Sequence, residues 1–319
     1  MSISSIVMGV DIGGTRTKYG LVNLATGERV AQHIGDTDYR NLDDFIAALG
    51  HAQDTLLAES GLNPEDLQGI RIGVPGFVQG DWISLVWDFL SFMEGTHFRP
   101  AIEEALKRPV RIENDARAVA LGEYYYGGHG QPTRMLSLTL GTGVGFGFVV
   151  DGALHERTSL AHMAGHILVR PGAAECYCGM NGCLESLVNS QHLLQTFAAA
   201  QAKRPDVPFP YSQDAEGILR AAAESHPIAA EVASQMVADL VTGLNVYIYQ
   251  YAPDMFVLGG GLAAGLHPFL PAITQGLKVQ PFQGYHAQVR LTKLGPAAGL
   301  YGAASLWMDP LSGRVEGHL

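Results

Sequence analysis

A chain of 319 residues, 47% of them hydrophobic and 16% charged, can bury a large core and is no disordered sequence. Its net charge of -11 argues against a non-specific nucleic-acid binder, which needs clustered Lys and Arg to displace counterions. No stretch approaches the ~18 apolar residues of a membrane span. The length suggests about two domains.

The chain opens MSISSIVMGVDIGG, without a basic segment or a small-residue cleavage site, so it reads as a first strand and not as a signal peptide. The apolar run 5–10 predicts a buried strand, DIGGT (11–15) a glycine turn, and TKYGLVNL (17–24) a second strand. From Asn41 onward Leu42, Phe45, Ile46, Leu49, Leu56 and Leu57 keep helical spacing, and Gly61 predicts the stop. GIRIGVPG (69–76) is a further buried strand entering a loop. Pro100 opens a helix through Leu106, because proline is tolerated in a first helical turn. VRIEND (110–115) predicts a strand and ARAVALGEYYYGG (116–128) a helix.

The opening pattern then recurs. RMLSLTLGTGVGFGFVVDG (134–152) is again strand, Gly/Thr turn and strand. A helical region fills roughly 213–251, MFVLGGGL (255–262) is a strand with a third glycine turn, and a small-residue helix closes the fold near 297–308 before a frayed tail. The repetition predicts two α/β halves on one plan, with glycine turns facing a shared cleft. The expected division is a smaller domain over 1–116, completed by 297–319, and a larger one over 117–296.

A glycine turn after a buried strand lets backbone N–H groups approach an anion such as phosphate. Three such turns, the first led by an acid, point to a phosphorylated ligand. The P-loop pattern is absent, and a strand follows GTGVGFG where a dinucleotide fingerprint needs a helix.

All three cysteines lie in HILVRPGAAECYCGMNGCLES (166–186). An odd number of cysteines without an export signal points to a reducing cytoplasm, where thiols stay free or bind metal. Cys176, Cys178, Cys183 and His166 make a Cys₃His set suited to tetrahedral zinc, and four protein ligands make the site structural instead of hydrolytic. Histidine that gives one ring nitrogen to zinc presents the other as a fixed N–H donor, so His166 is also a candidate for a substrate hydroxyl, with Glu185 on the same loop as acceptor. Asp115, at a predicted helix start, reads from position alone as a helix cap first and as a general base second.

In chain order DIGGTRTK (11–18), PG (75–76), END (113–115), GTGVGFG (141–147), GH before CYCGMNGCLES (165–186) and VLGGGL (257–262) resemble the ROK (repressor, open reading frame, kinase) sugar kinases. The resemblance covers about residues 5–305. It implies an α/β, two-domain hexokinase/actin-like ATPase (ribonuclease H-like) fold with a duplicated core and an interdomain cleft. The implied activity is ATP-dependent phosphorylation of a sugar hydroxyl, with ATP, Mg²⁺ and a structural Zn²⁺. Asp115 becomes the general base and Asn114 a sugar ligand beside His166 and Glu185. Asp11 is the expected magnesium contact, direct or through water. Gly13, Gly14, Thr15 and Lys18 surround the terminal phosphates, Gly141, Thr142 and Gly143 the other side, and Gly260 and Gly261 lie near the adenosine. The repressors of the family carry an additional DNA-binding domain; the first strand begins this chain directly, so an enzyme is expected. A cytoplasmic homodimer or higher homo-oligomer, without nucleic-acid or membrane partners, completes the expectation.

One place departs from the family. Its usual Ala-Gly-Glu-x-Gly-His is AHMAGH (161–166) here, with Met163 in place of the sugar-binding glutamate and His162 in place of glycine. That departure puts ordinary aldohexose or N-acetylhexosamine specificity in question and leaves a non-catalytic sugar sensor as the alternative. A zinc hydrolase is disfavoured by the closed ligand set.

Overall fold

The computed structural model describes residues 5–84, 88–155, 161–278 and 284–309. The chain begins with β1 (Ile6–Ile12), β2 (Arg16–Asn23) and β3 (Glu28–Asp36), followed by α1 (Leu42–Ser60) and β4 (Leu67–Val74). Two short strands, β5 (Phe77–Gln79) and β6 (Trp82–Ser84), precede α2 (Phe98–Leu106), β7 (Val110–Asn114) and α3 (Asp115–Tyr126). Next come β8 (Arg134–Leu140), β9 (Val144–Val150) and β10 (Ala153–Leu154), then α4 (Leu184–Leu187), α5 (Ser190–Ala202), α6 (Ala215–Ala223) and α7 (Pro227–Tyr251). The last elements are β11 (Met255–Gly259), α8 (Leu270–Gly276), β12 (Gln288–Leu291) and α9 (Ala298–Ser305). The sheets run β3-β2-β1-β4-β7 and β10-β9-β8-β11-β12, with β5 and β6 paired separately.

The first compact unit comprises the described residues of Met1–Thr133, Gly147–His162 and Lys293–Leu319. In its sheet β1 pairs antiparallel with β2 and parallel with β4, and β4 runs parallel to β7. Val7, Met8 and Val10 are fully buried, as expected of a strand covered on both faces. On one face α1 sets Phe45, Leu49, Ala52, Leu56 and Leu57 inward. Asn41 caps its start by accepting from the Asp44 N–H, and Gly61 ends it with a left-handed φ of 68°, which glycine adopts without steric cost.

On the other face α9 lies against β1, where a Cβ at Gly9 would stand 2.7 Å from the Leu300 carbonyl oxygen. Helices α3 and α9 approach through facing glycines, since a Cβ at Gly122 would stand 2.6 Å from the Gly302 nitrogen. That contact keeps all of α3 with the first unit. The chain passes to the second unit at Thr133/Arg134, whereas the sequence reading put the boundary at 116, inside the first turn of α3. Residues 310–319, expected to fray, lie outside the described residues.

The second unit comprises the described residues of Arg134–Phe146 and Met163–Thr292. Strand β11 is fully buried and runs parallel to both β8 and β12. The region read as helical over 213–251 is two helices, α6 and α7. Pro227 opens α7 at its first position, behind a His226 side chain that accepts from the Ala229 N–H. Among the described residues no helix is long and apolar enough to cross a membrane.

Candidate active site

The parallel pairing in the first unit brings its acidic residues to one end of the sheet. Asp11 lies opposite Gly73, and Gly73 opposite Glu113, so these positions align across three strands. One residue beyond Glu113 the chain turns into α3. The cap of this helix is Asn114, whose side-chain oxygen accepts from the N–H groups of Ala116 (3.1 Å) and Arg117 (3.2 Å). Its amide nitrogen donates to the Gly76 carbonyl at 3.0 Å, which ties the cap to the Pro75-Gly76 loop.

Asp115 is therefore the first helical residue and not the cap. Its Oδ1 accepts the Ala116 N–H at 2.8 Å. Burial pushes its carboxyl up to about 7, and the nearby negative charge of Asp11 adds to the rise. The Ala116 N–H and the Asn114 side chain pull the other way but do not cancel it. A helix start alone favours the ionised carboxylate; here burial outweighs it.

Asp11 accepts from Lys18 Nζ at 3.1 Å, and the same ammonium donates to the Pro296 carbonyl at 3.0 Å. The turn joining β1 to β2 is closed by the Gly13 N–H donating to the Arg16 carbonyl at 3.1 Å. A Cβ at Gly13 would lie 2.8 Å from that oxygen, so the turn needs a glycine there for close approach. Gly14 and Thr15 are exposed at its tip, and Thr15 accepts from the Thr37 N–H at 3.0 Å.

In the second unit the other two glycine turns follow adjacent parallel strands. Gly141–Gly143 joins β8 to β9, with the Gly141 N–H donating to the Gly143 carbonyl at 3.0 Å and Thr142 exposed between them. Gly260 has φ of 83° and packs its α-carbon directly against the Leu140 backbone, and the Leu262 N–H donates to the Leu140 carbonyl at 3.0 Å. No side chain other than glycine fits there. Gly261 is exposed beside it, so the two turns present backbone at the ends of β8 and β11.

The cysteine loop forms the third element. One ligand atom each from His166, Cys176, Cys178 and Cys183 lies within 4.8 Å of the others. His166 Nδ1 is 3.3 Å from Cys176 Sγ, and Cys178 Sγ is 3.5 Å from Cys183 Sγ. Three thiols and one imidazole nitrogen converging on one point fit a tetrahedral zinc ion in charge, softness and number. Because Nδ1 faces the sulfurs, Nε2 of His166 faces outward, 3.8 Å from Glu185 Oε2. Glu185 stands in the short helix α4 immediately after Cys183, and its Oε2 also accepts the Val144 N–H at 3.4 Å. A Cβ at Gly143 would touch the Glu185 carboxylate at 3.4 Å, so one glycine turn and the cysteine loop meet at this carboxylate.

A ROK family model matches residues 7–310, nearly the whole chain. The chain belongs to the ROK family. Among curated relatives of this ROK protein, the glucokinase of Halalkalibacterium halodurans is 31% identical over 94% of each chain. The glucokinase of Thermotoga maritima is 29% identical, with 96% of this chain and 98% of the other covered. Solved structures agree on the fold. A ROK hexokinase from Thermus thermophilus superposes with a TM-score of 0.77 at 27% identity, covering 97% of this chain and 100% of that one. A ROK glucokinase from Streptomyces griseus, in complex with glucose and AMPPNP, gives 0.75 at 26% identity over 94% and 98%. The fold of this ROK protein is accordingly that of the two-domain actin-like ATPases.

The residues read from the ROK motifs thus fall into three groups, one in the first unit and two in the second. Asp11, Gly13, Gly14, Thr15, Lys18, Asn114 and Asp115 gather at one sheet end. The glycine turns 141–143 and 260–261 flank each other, and the Cys₃His cluster stands with Glu185. Met163 is half-buried in the turn Ala161–His166, three residues before the histidine of the cluster. His162 packs edge-on against Phe77 with ring centroids 5.6 Å apart. Glu156, a possible substitute for the missing family glutamate, lies outside the described residues. Sequence reasoning passed over Tyr177, whose hydroxyl lies 3.0 Å from His166 Nε2. Its position between two cysteines of the cluster was the available signal.

Proposed function

We propose that this ROK protein is an ATP-dependent sugar kinase in which Asp115 is the general base. The observation that carries the reading is the placement of Asp115, half-buried as the first residue of α3 at the sheet end that also carries Asp11, where desolvation raises its carboxyl to about 7. A base poised near the working pH is ionised often enough to accept a proton and basic enough to hold it. As a sugar hydroxyl attacks the γ-phosphorus of ATP, its proton passes to an Asp115 carboxylate oxygen. The bond from the γ-phosphorus to the bridging oxygen breaks, and ADP leaves with that electron pair.

The remaining residues position and neutralise, which is most of the work in phosphoryl transfer. Asp11 would hold magnesium, directly or through water, and the ion supplies positive charge against the phosphate oxygens. The backbone of Gly13, Gly14 and Thr15, with Lys18, takes the terminal phosphates, and the turn Gly141, Thr142 and Gly143 is a second nucleotide contact. Gly260 and Gly261 lie by the adenosine. His166 Nε2–H donates to a sugar hydroxyl and Glu185 accepts from one. The Asn114 oxygen is already shared by two backbone donors, so its contribution to the sugar is through its amide N–H. His166, Cys176, Cys178 and Cys183 would hold a zinc ion, which would fix the His166 ring and the start of α4. A thiolate set of this kind belongs in a reducing, cytoplasmic setting, and we include homo-oligomerisation in the proposal.

The test is ADP release with glucose, fructose, N-acetylmannosamine and N-acetylglucosamine. Turnover is expected with at least one of them. Met163 is a weak acceptor, so glucose and N-acetylglucosamine are expected to be the poorer substrates. Sugar binding without ADP release from any member of the panel would favour a sensor.

A further inference from the structure

Tyr177 sits between two zinc ligands at the tip of a tight hairpin. The Cys176 N–H donates to the Met180 carbonyl at 3.0 Å, and the Gly179 N–H donates to the Cys176 carbonyl at 3.0 Å. Gly179 adopts φ of 91°, which glycine alone takes readily. The backbone is therefore pinned while the side chain is 72% exposed. The phenol nevertheless turns back on the zinc histidine. Its ring meets the His166 ring edge-on at 4.9 Å, and its hydroxyl lies 3.0 Å from Nε2. The same hydroxyl bonds to Glu185.

With zinc held through Nδ1, which faces Cys176 Sγ, Nε2 would carry the ring hydrogen. The Tyr177 oxygen accepts from that N–H and donates its own hydrogen to the Glu185 carboxylate. A single hydroxyl that accepts from a fixed imidazole and donates to a carboxylate is the pattern a sugar hydroxyl would make with these two side chains. We propose that the Tyr177 hydroxyl stands in for a substrate hydroxyl, so that a sugar must displace it and Tyr177 sets both sugar affinity and the hydroxyl required. The inference rests on His166 and Glu185 being the sugar ligands. It extends that reading by adding a residue that competes with the sugar. A sugar lacking a hydroxyl at that point leaves the tyrosine bond intact and gains nothing from the pair. One with the hydroxyl exchanges one bond for another and releases the phenol to water.

The experiment is calorimetric titration of the zinc-loaded full chain, without nucleotide, with the sugars of the panel, comparing wild type with Tyr177→Phe. Phenylalanine keeps the ring and removes the competing hydroxyl. The expected result is a three- to ten-fold tighter Kd for the bound sugar, roughly the effect of one net hydrogen bond, with one zinc per chain in both proteins. In steady state KM should fall and kcat stay within about two-fold. Tyr177→Leu, which removes the ring as well, should shift affinity in the same direction. Unchanged or weaker sugar binding in the Phe variant overturns the proposal; weaker binding would make Tyr177 an ordinary sugar contact. Because binding is read without ATP, failure of the kinase reading shows separately, as sugar binding without ADP release in either protein.

Discussion

The α-carbon of Gly299 presses against the carboxylate of Asp11, and any side chain at 299 would occupy the space that carboxylate fills. The glycine stands at the start of α9, near the end of the chain, and Asp11 at the end of its first strand. Closure of the first unit by α9 and placement of the acid are thus one packing event.

This contact makes Gly299→Ala informative. The added methyl must push Asp11 aside or move α9, an overpacking that typically costs about 1–3 kcal/mol. The variant should melt lower and lose kcat, while sugar affinity without nucleotide stays near wild type. Calorimetric melting and sugar titration of the two proteins check this. A variant with wild-type turnover would show that the position of Asp11 does not matter to the reaction.

Asp115 gives a pH dependence in two observables. Its carboxyl is raised from 3.8 to about 7, and only the ionised form acts as a base. The value of kcat/KM should therefore rise about ten-fold per pH unit on the acid side and level off above an inflection near 7. For stability the sign is opposite. Between about pH 4 and 7 the folded chain holds a proton that the unfolded chain has lost, so this group's effect lowers stability as pH rises through that window and is constant above it. Asp115→Asn removes the effect, so denaturant titrations should show the variant gaining on wild type between pH 5 and pH 8. An acid limb centred near 4 would contradict the assignment.

Much of this was legible in the sequence because the signals were local. The spacing from Leu42 to Leu57 between Asn41 and Gly61 gave α1 with both of its ends. The small residues near 297–308 correspond to the close approach of Gly302 to α3. The Cys₃His cluster was readable because its four residues lie within 18 positions of one another, and the resemblance to ROK motifs identified the family. What escaped depended on distant partners. Strand β12 is four residues long and only half-buried, and it is a strand because β11 offers it a parallel edge. The cap role of Asn114 was hidden because Asn and Asp are both good caps, and the Pro75-Gly76 loop that holds the Asn114 amide is nearly 40 residues away. The raised carboxyl of Asp115 depends on burial and on Asp11, and neither is visible in a sequence window.

The zinc loop should behave as a folding element. Cys178→Ser removes one of four ligands, and the expected result is loss of the metal with a clear drop in melting temperature, because metal affinity is coupled to folding. Elemental analysis beside thermal melting reads both. Sugar affinity should fall as well, since His166 and Glu185 lose the ion that fixes them. A fully folded wild type that is free of metal would defeat this account.

In the proposed reaction the Asp115 carboxylate takes the proton from the attacking hydroxyl. Asparagine at 115 keeps the shape and the N-terminal hydrogen bonding but has almost no basicity. The most direct measurement is kcat of Asp115→Asn against wild type on the best sugar of the panel, with ATP and sugar affinities determined on the same preparations. The account predicts a loss of roughly 10²–10⁴ in kcat, the usual range for a general base, with both ligands still bound at near-normal affinity. Turnover within a few-fold of wild type would contradict it and leave Asp115 as the first residue of a helix.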